Sequence, residues 1–114
     1  MIRKLALLGL SAIVAGCTTM SQGEYKNLQT ALNGSPALKR EVLVSCIKDE
    51  NARSAKEKAE MAALFNIEPK NYASTFCKRM FNGLTSGRIT YQDYVNLDSP
   101  TADSSKVIRI LQGR

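Results

Sequence analysis

Between Tyr72 and Leu84 the apolar side chains fall at Tyr72, Ala73, Phe76, Cys77, Met80, Phe81 and Leu84. Steps of three and four residues put all seven on one face of an α-helix, which turns once every 3.6 residues. A strand needs strict alternation and cannot present this set together. The spacing predicts a helix that starts at Pro69, since proline is tolerated at a first helical position, and stops at Ser86-Gly87. Aromatics are 6% of the chain and Trp is absent. The core around this helix must therefore be largely aliphatic, with Ala and Met filling gaps.

Other stretches read the same way. Ser35-Pro36 is an N-cap followed by proline at N1. Leu38, Val42, Leu43, Cys46 and Ile47 then form one stripe along a helix over 36–51. Ser54-Ala55-Lys56-Glu57 matches a capping box. It opens either a new helix or a bent continuation, running to Phe65, with Ala55, Ala59, Ala62, Ala63 and Phe65 expected as its apolar face. Glu57 and Glu60 alternate with Lys56 and Lys58, the pattern of surface ion pairs. Upstream, Tyr25, Leu28 and Leu32 give a weaker pattern from Glu24, ended by Asn33-Gly34. Thr90 to Asp93 is another capped start, for a short helix with Tyr91, Tyr94, Val95 and Leu97 on one side. Ser99-Pro100 breaks it. Val107 to Leu111 is apolar apart from Arg109, and periodicity leaves a last helical turn and an edge strand equally open. The expectation is one all-α domain, a small irregular bundle of about four to five helices.

The amino end has a different character. Arg3 and Lys4 precede an apolar run from Leu5 to Val14. That run is shorter than the roughly 20 residues a spanning helix needs, and it reads as the h-region of a signal peptide. Val14-Ala15-Gly16-Cys17 closes it and resembles the lipobox of bacterial lipoproteins. In that family a diacylglycerol is joined to the cysteine by a thioether, cleavage makes the cysteine the first mature residue, and a further chain acylates its nitrogen. The resemblance implies a signal peptide over 1–16, lipid attachment at Cys17, a lipidated tether over 17–23 and a helical domain over 24–114. It implies no cofactor beyond the covalent lipid. Buried acyl chains contribute about 0.8 kcal/mol per methylene, so such an anchor is effectively irreversible. Thr18 stands where Asp favours inner-membrane retention in enterobacterial lipoproteins. The expected address is therefore the outer membrane, facing the periplasm.

This reading also accounts for an odd number of cysteines. Three are present, and Cys17 is taken by lipid. Cys46 and Cys77 each lie on the apolar face of an expected helix, and export would place them in an oxidising compartment. A disulfide between them is expected. Closing a loop of about 32 residues would stabilise the fold by about 3.7 kcal/mol in the chain-entropy treatment. The segment "FCKRMFNGLTSGRITYQDY" is similar to a recurring pattern in small exported proteins of alphaproteobacteria, in which an upstream helix supplies the second cysteine. That resemblance spans residues 40–97 and implies the fold and the disulfide, with no particular activity.

Chemistry-bearing constellations are sparse. The chain has no His, which removes the commonest general base and metal ligand. No Ser/His/Asp set, metal-ligand cluster or phosphate loop stands out, and no enzyme is expected. Asn82 to Asp93 is similar to an EF-hand loop, with Gly87 at the sharp turn and Asn82, Ser86 and Asp93 as candidate calcium ligands. Leu84 falls where an oxygen ligand is required, and Asp93 replaces the usual bidentate Glu. The segment around "NIEP", followed by Thr75, Lys78 and Arg79, is faintly similar to a helix-turn-helix. Without Arg3 and Lys4, fourteen basic side chains face ten acidic ones. This net charge of +4 suits anionic headgroups or cell-wall polymer. A membrane anchor outside the cytoplasm argues against nucleic acid. The expected role is non-enzymatic: structural support or protein interaction in the cell envelope. The alternative is a ligand- or calcium-binding module built on 82–93.

Overall fold

The structure is a computed structural model and describes residues 20–114. The expected signal peptide 1–16, the lipobox and Cys17 lie outside the described residues. Six α-helices follow one another: α1 (Gln22–Gly34), α2 (Pro36–Asn51), α3 (Ala55–Leu64), α4 (Tyr72–Thr85), α5 (Tyr91–Asn96) and α6 (Ser105–Leu111). A 3-10 turn, Pro69–Asn71, leads into α4. No strand occurs among the described residues, and none of their helices is long and apolar enough to cross a membrane. The fold is all-α. The two elements that periodicity left open, at Ser54 and at 107–111, are both separate helices, which brings the number to six rather than four to five.

The helix starts follow from short polar side chains. Ser21, Ser35 and Ser54 each accept a hydrogen bond from the backbone N–H three residues on, at 3.2, 3.1 and 3.1 Å. Each satisfies a donor that the first turn leaves without a helical partner. Ser21 therefore caps α1, which begins at Gln22, inside the stretch 17–23 expected as tether. Thr90 and Asp93 form a complete capping box: Asp93 N–H donates to Thr90 Oγ1 at 3.1 Å, and Thr90 N–H to Asp93 Oδ2 at 2.9 Å.

Helix α4 is the centre of the bundle. Tyr72, Ala73, Phe76 and Cys77 are buried, with Met80, Phe81 and Leu84 half-buried. The Phe76 ring stacks on Tyr72 at 5.4 Å and meets Phe65 at 5.5 Å. Ala62, Phe65, Ile67, Val107 and Leu111 close around them, with Leu43, Cys46 and Ile47 packed from α2. The expected disulfide is present: Cys46 and Cys77 join α2 to α4 with a Cα–Cα distance of 6.1 Å. Between α3 and the 3-10 turn, Asn66 adopts a left-handed φ of 54°, a conformation that Asn reaches more readily than most residues. The reversal brings Ile67 N–H to Ala62 O at 2.9 Å and turns Ile67 inward.

The expected face of α3 is corrected. Ala62 and Phe65 are buried, but Ala55, Ala59 and Ala63 are exposed. Lys58 and Met61, half-buried, complete the inner face. Alanine removes little apolar area from water, so its spacing orients a helix weakly. Phe65 and Met61 bury far more and decide the rotation.

Candidate anchor-proximal site

The described chain begins against a group of three tyrosines. Tyr25 comes from α1, and Tyr91 and Tyr94 lie one turn apart on α5. The Tyr25 ring stacks on Tyr94 at 5.5 Å and meets Tyr91 edge-on at 5.7 Å. Such aromatic pairs stabilise by about 0.5–1.5 kcal/mol beyond their burial. The hydroxyls have separate partners. Tyr25 is 2% exposed and donates to Ile89 O at 2.6 Å. Burial, and behind it the nearby Asp93 charge, pushes the Tyr25 hydroxyl above its ordinary value, so it remains a donor. Tyr91 donates to Met20 O at 2.9 Å, and Tyr94 accepts from Met20 N–H at 3.0 Å. Both backbone polar groups of Met20 are thus held by α5. Sequence reading placed Tyr91 and Tyr94 on one side of a short helix but could not find this grip, which spans 71 and 74 residues.

The loop 82–93 does not bring its three candidate ligands to one point of the fold. Asn82 lies within α4, and Ser86 is the residue that ends it. Gly87, with φ of 81°, turns the chain, and Ile89 N–H returns to Gly83 O at 2.9 Å. Asp93 is engaged elsewhere: its Oδ2 accepts from Thr90 N–H and from Lys106 Nζ, the latter at 2.8 Å. The Lys106 hydrogen bond is the main cause that holds the Asp93 carboxyl below its ordinary value. Among the described residues no group of three or more His, Cys, Asp or Glu gathers.

Asn82 and Ser86 instead share a cleft of about 280 Å³ with Arg79, Arg88 and Gly113, floored by Gly83 and Ile110. No carboxylate lines it. Arg79 Nη1 donates to Phe65 O at 3.2 Å and to Leu111 O at 2.9 Å, closing the ends of α3 and α6. Gly113, with φ of 83°, admits the guanidinium; a Cβ there would stand 3.0 Å from Arg79 Cζ. Arg88 Nη2 donates to Arg114 O at 2.9 Å. Backbone oxygens thus engage both arginines, and Arg88, exposed at the rim, is the cation this cleft offers to an anionic group. Arg79, noted in the sequence for its likeness to a recognition helix, is thus turned to internal carbonyls.

A second polar group lies at the opposite end of α4. Glu50, the buried charged residue of the described chain at 8% exposure, accepts from the Tyr72 hydroxyl at 2.6 Å and from Arg53 Nε at 3.0 Å. Arg53 Nη1 also donates to Glu57 at 3.3 Å. Glu57 therefore pairs with Arg53 rather than with its lysine neighbours. The buried carboxylate and the buried hydroxyl are thus paired with each other, and Arg53 links them to Glu57, which makes the cluster a corner brace for α2, α3 and α4.

Comparison of the chain with known protein families, with curated proteins and with solved structures finds no match.

Proposed function

We propose that the chain is a bacterial lipoprotein whose helical domain has a non-enzymatic structural or protein-interaction role in the cell envelope, held at the membrane by acylated Cys17. The observation that carries the reading is the join between targeting segment and fold. The lipobox ends at Cys17, and Met20, the first described residue, is gripped by Tyr91 and Tyr94. A domain that holds a residue three positions after an acylation signal is suited to work beside the membrane. The Cys46–Cys77 disulfide fits an oxidising compartment. The exposed Arg88 at the rim of the cleft is the contact we assign to an anionic partner, with outer-membrane headgroups and cell-wall polymer as the nearest sources of negative charge.

Metabolic labelling with an alkyne palmitate tests the anchor. The native chain should take up label, and Cys17→Ser should take up none and accumulate as precursor. Label retained by Cys17→Ser would refute the lipoprotein reading. Crosslinking in living cells tests the role: Arg88→Glu should lower the yield of the captured partner, while Lys78→Glu on the exposed face of α4 should not.

A further inference from the structure

Three peptide steps separate Cys17 from Met20. A fully extended chain covers at most about 3.6 Å per residue, so the two Cα atoms stand within about 11 Å of each other whatever path the chain takes. Met20 is fixed to α5 through both of its backbone polar groups. If Cys17 carries lipid, α5 lies one tyrosine side chain beyond that short reach of the headgroups.

The chemistry of α5 matches that position. Tyr91 and Tyr94 have apolar rings and polar tips, the combination enriched at membrane–water interfaces. Leu97, one turn beyond Tyr94, is a large apolar side chain left 48% exposed. The Asp93 charge at this end is paired with Lys106 at 2.8 Å. Asp98, exposed next to Leu97, resists deep insertion and sets the contact at headgroup level.

We infer that α5 is a lipid-docking element: Tyr91, Tyr94 and Leu97 rest on the membrane surface and give the domain one fixed orientation, instead of leaving it to swing on a tether. The inference rests on the lipoprotein reading above. It places the far end of α4 away from the bilayer. Tyr72 opens α4 and Thr85 closes it, about 20 Å apart at 1.5 Å per residue. The tyrosine group sits beyond Thr85. Ala55, exposed at the start of α3, sits by the Glu50–Tyr72 brace at the other end.

The chain has no Trp, so single substitutions give clean probes. Leu97→Trp and Ala55→Trp both fall at exposed positions. Each acylated protein is reconstituted into phosphatidylethanolamine–phosphatidylglycerol vesicles containing lipid brominated high on the acyl chain. Docking predicts blue-shifted emission and strong bromine quenching at position 97, with neither at position 55. Tyr91→Phe combined with Tyr94→Phe keeps the rings and removes the hydroxyls; in the Leu97→Trp background it should reduce the quenching. Three results would overturn the inference: no quenching at either position in vesicle-bound protein, equal quenching at both, or quenching at 97 unchanged by loss of the hydroxyls. Mass spectrometry of the mature amino terminus separates the two readings. An unacylated terminus sinks the lipoprotein reading, whereas an acylated protein with an unquenched Trp at 97 sinks docking alone.

Discussion

The Tyr72 hydroxyl donates a 2.6 Å hydrogen bond to Glu50 Oε1, from the first residue of α4 to the last turn of α2. A carboxylate at a helix C-terminus faces the unfavourable end of the helix dipole. Arg53 and Tyr72 together make it tolerable. Burial, and then the hydrogen bond to Glu50, raises the Tyr72 hydroxyl well above its ordinary value. Tyr72→Phe should destabilise the domain by about 1–3 kcal/mol, because a buried carboxylate loses a donor. The raised folded value means that stability is fully present below the unfolded tyrosine pKa, about 10, and falls as pH rises above it. Denaturant melts between pH 9 and pH 11, taken as about that unfolded value plus or minus one, should show an alkaline loss that is smaller in Tyr72→Phe.

At the other extreme of pH, Asp93 contributes. Its folded value is depressed, chiefly by Lys106 and then by the Thr90 backbone N–H. Its contribution is present above the unfolded Asp pKa of about 3.9 and is lost as pH falls through the lower folded value. Asp93→Asn should remove that acid-dependent part and shorten α5, read as a lower Tm at neutral pH and a flatter profile in acid.

Gly83 has no room for a side chain. A Cβ there would stand 2.7 Å from Ile89 Cδ1 and 3.1 Å from Ile110 Cγ2. Gly83→Ala should cost about 1–3 kcal/mol through overpacking, despite the better helix propensity of alanine. Pairing it with Ile89→Val should recover part of the loss, since contacting sites are not additive. A double-mutant cycle in thermal unfolding measures this.

Reduction of Cys46–Cys77 should lower stability by about 3.7 kcal/mol if the chain-entropy treatment holds. Non-reducing electrophoresis should show a mobility shift on reduction that is lost in Cys46→Ala. Cys77 is fully buried, so the shift should require unfolding or a strong reductant.

The sequence made the helices legible because each carries a local signal. Ser35, Ser54 and Thr90 are caps that act within three residues, and the α4 stripe is a spacing. The same locality explains what could not be read. The alanines of α3 are regularly spaced yet exposed, because larger neighbours set the rotation. Val107 to Leu111 was open between helix and strand until Val107, Ile110 and Leu111 found the core. At the candidate site, Tyr91 and Tyr94 were visible as a pair on one side, but their bonds to Met20 depend on the whole intervening chain. The Arg79–Arg88 cleft had no signal beyond scattered basic residues, since α6 brings its other wall.

One consequence concerns the order in which the molecule can be built. The side-chain bonds from α1 to the rest of the fold run from Gln29 to Leu84 O, from Asn33 to Thr85 O and from Tyr25 to Ile89 O, across 55, 52 and 64 residues. The first two satisfy carbonyls that the end of α4 leaves without helical donors. A polypeptide emerges amino end first, from a ribosome or through a membrane pore. Helix α1 can pack on α2 as soon as that next helix emerges, but its side-chain hydrogen bonds wait for residues 84, 85 and 89, and an isolated helix of 13 residues is marginal in water. The first helix of the described residues is thus fully tied down only when residue 89 has come through.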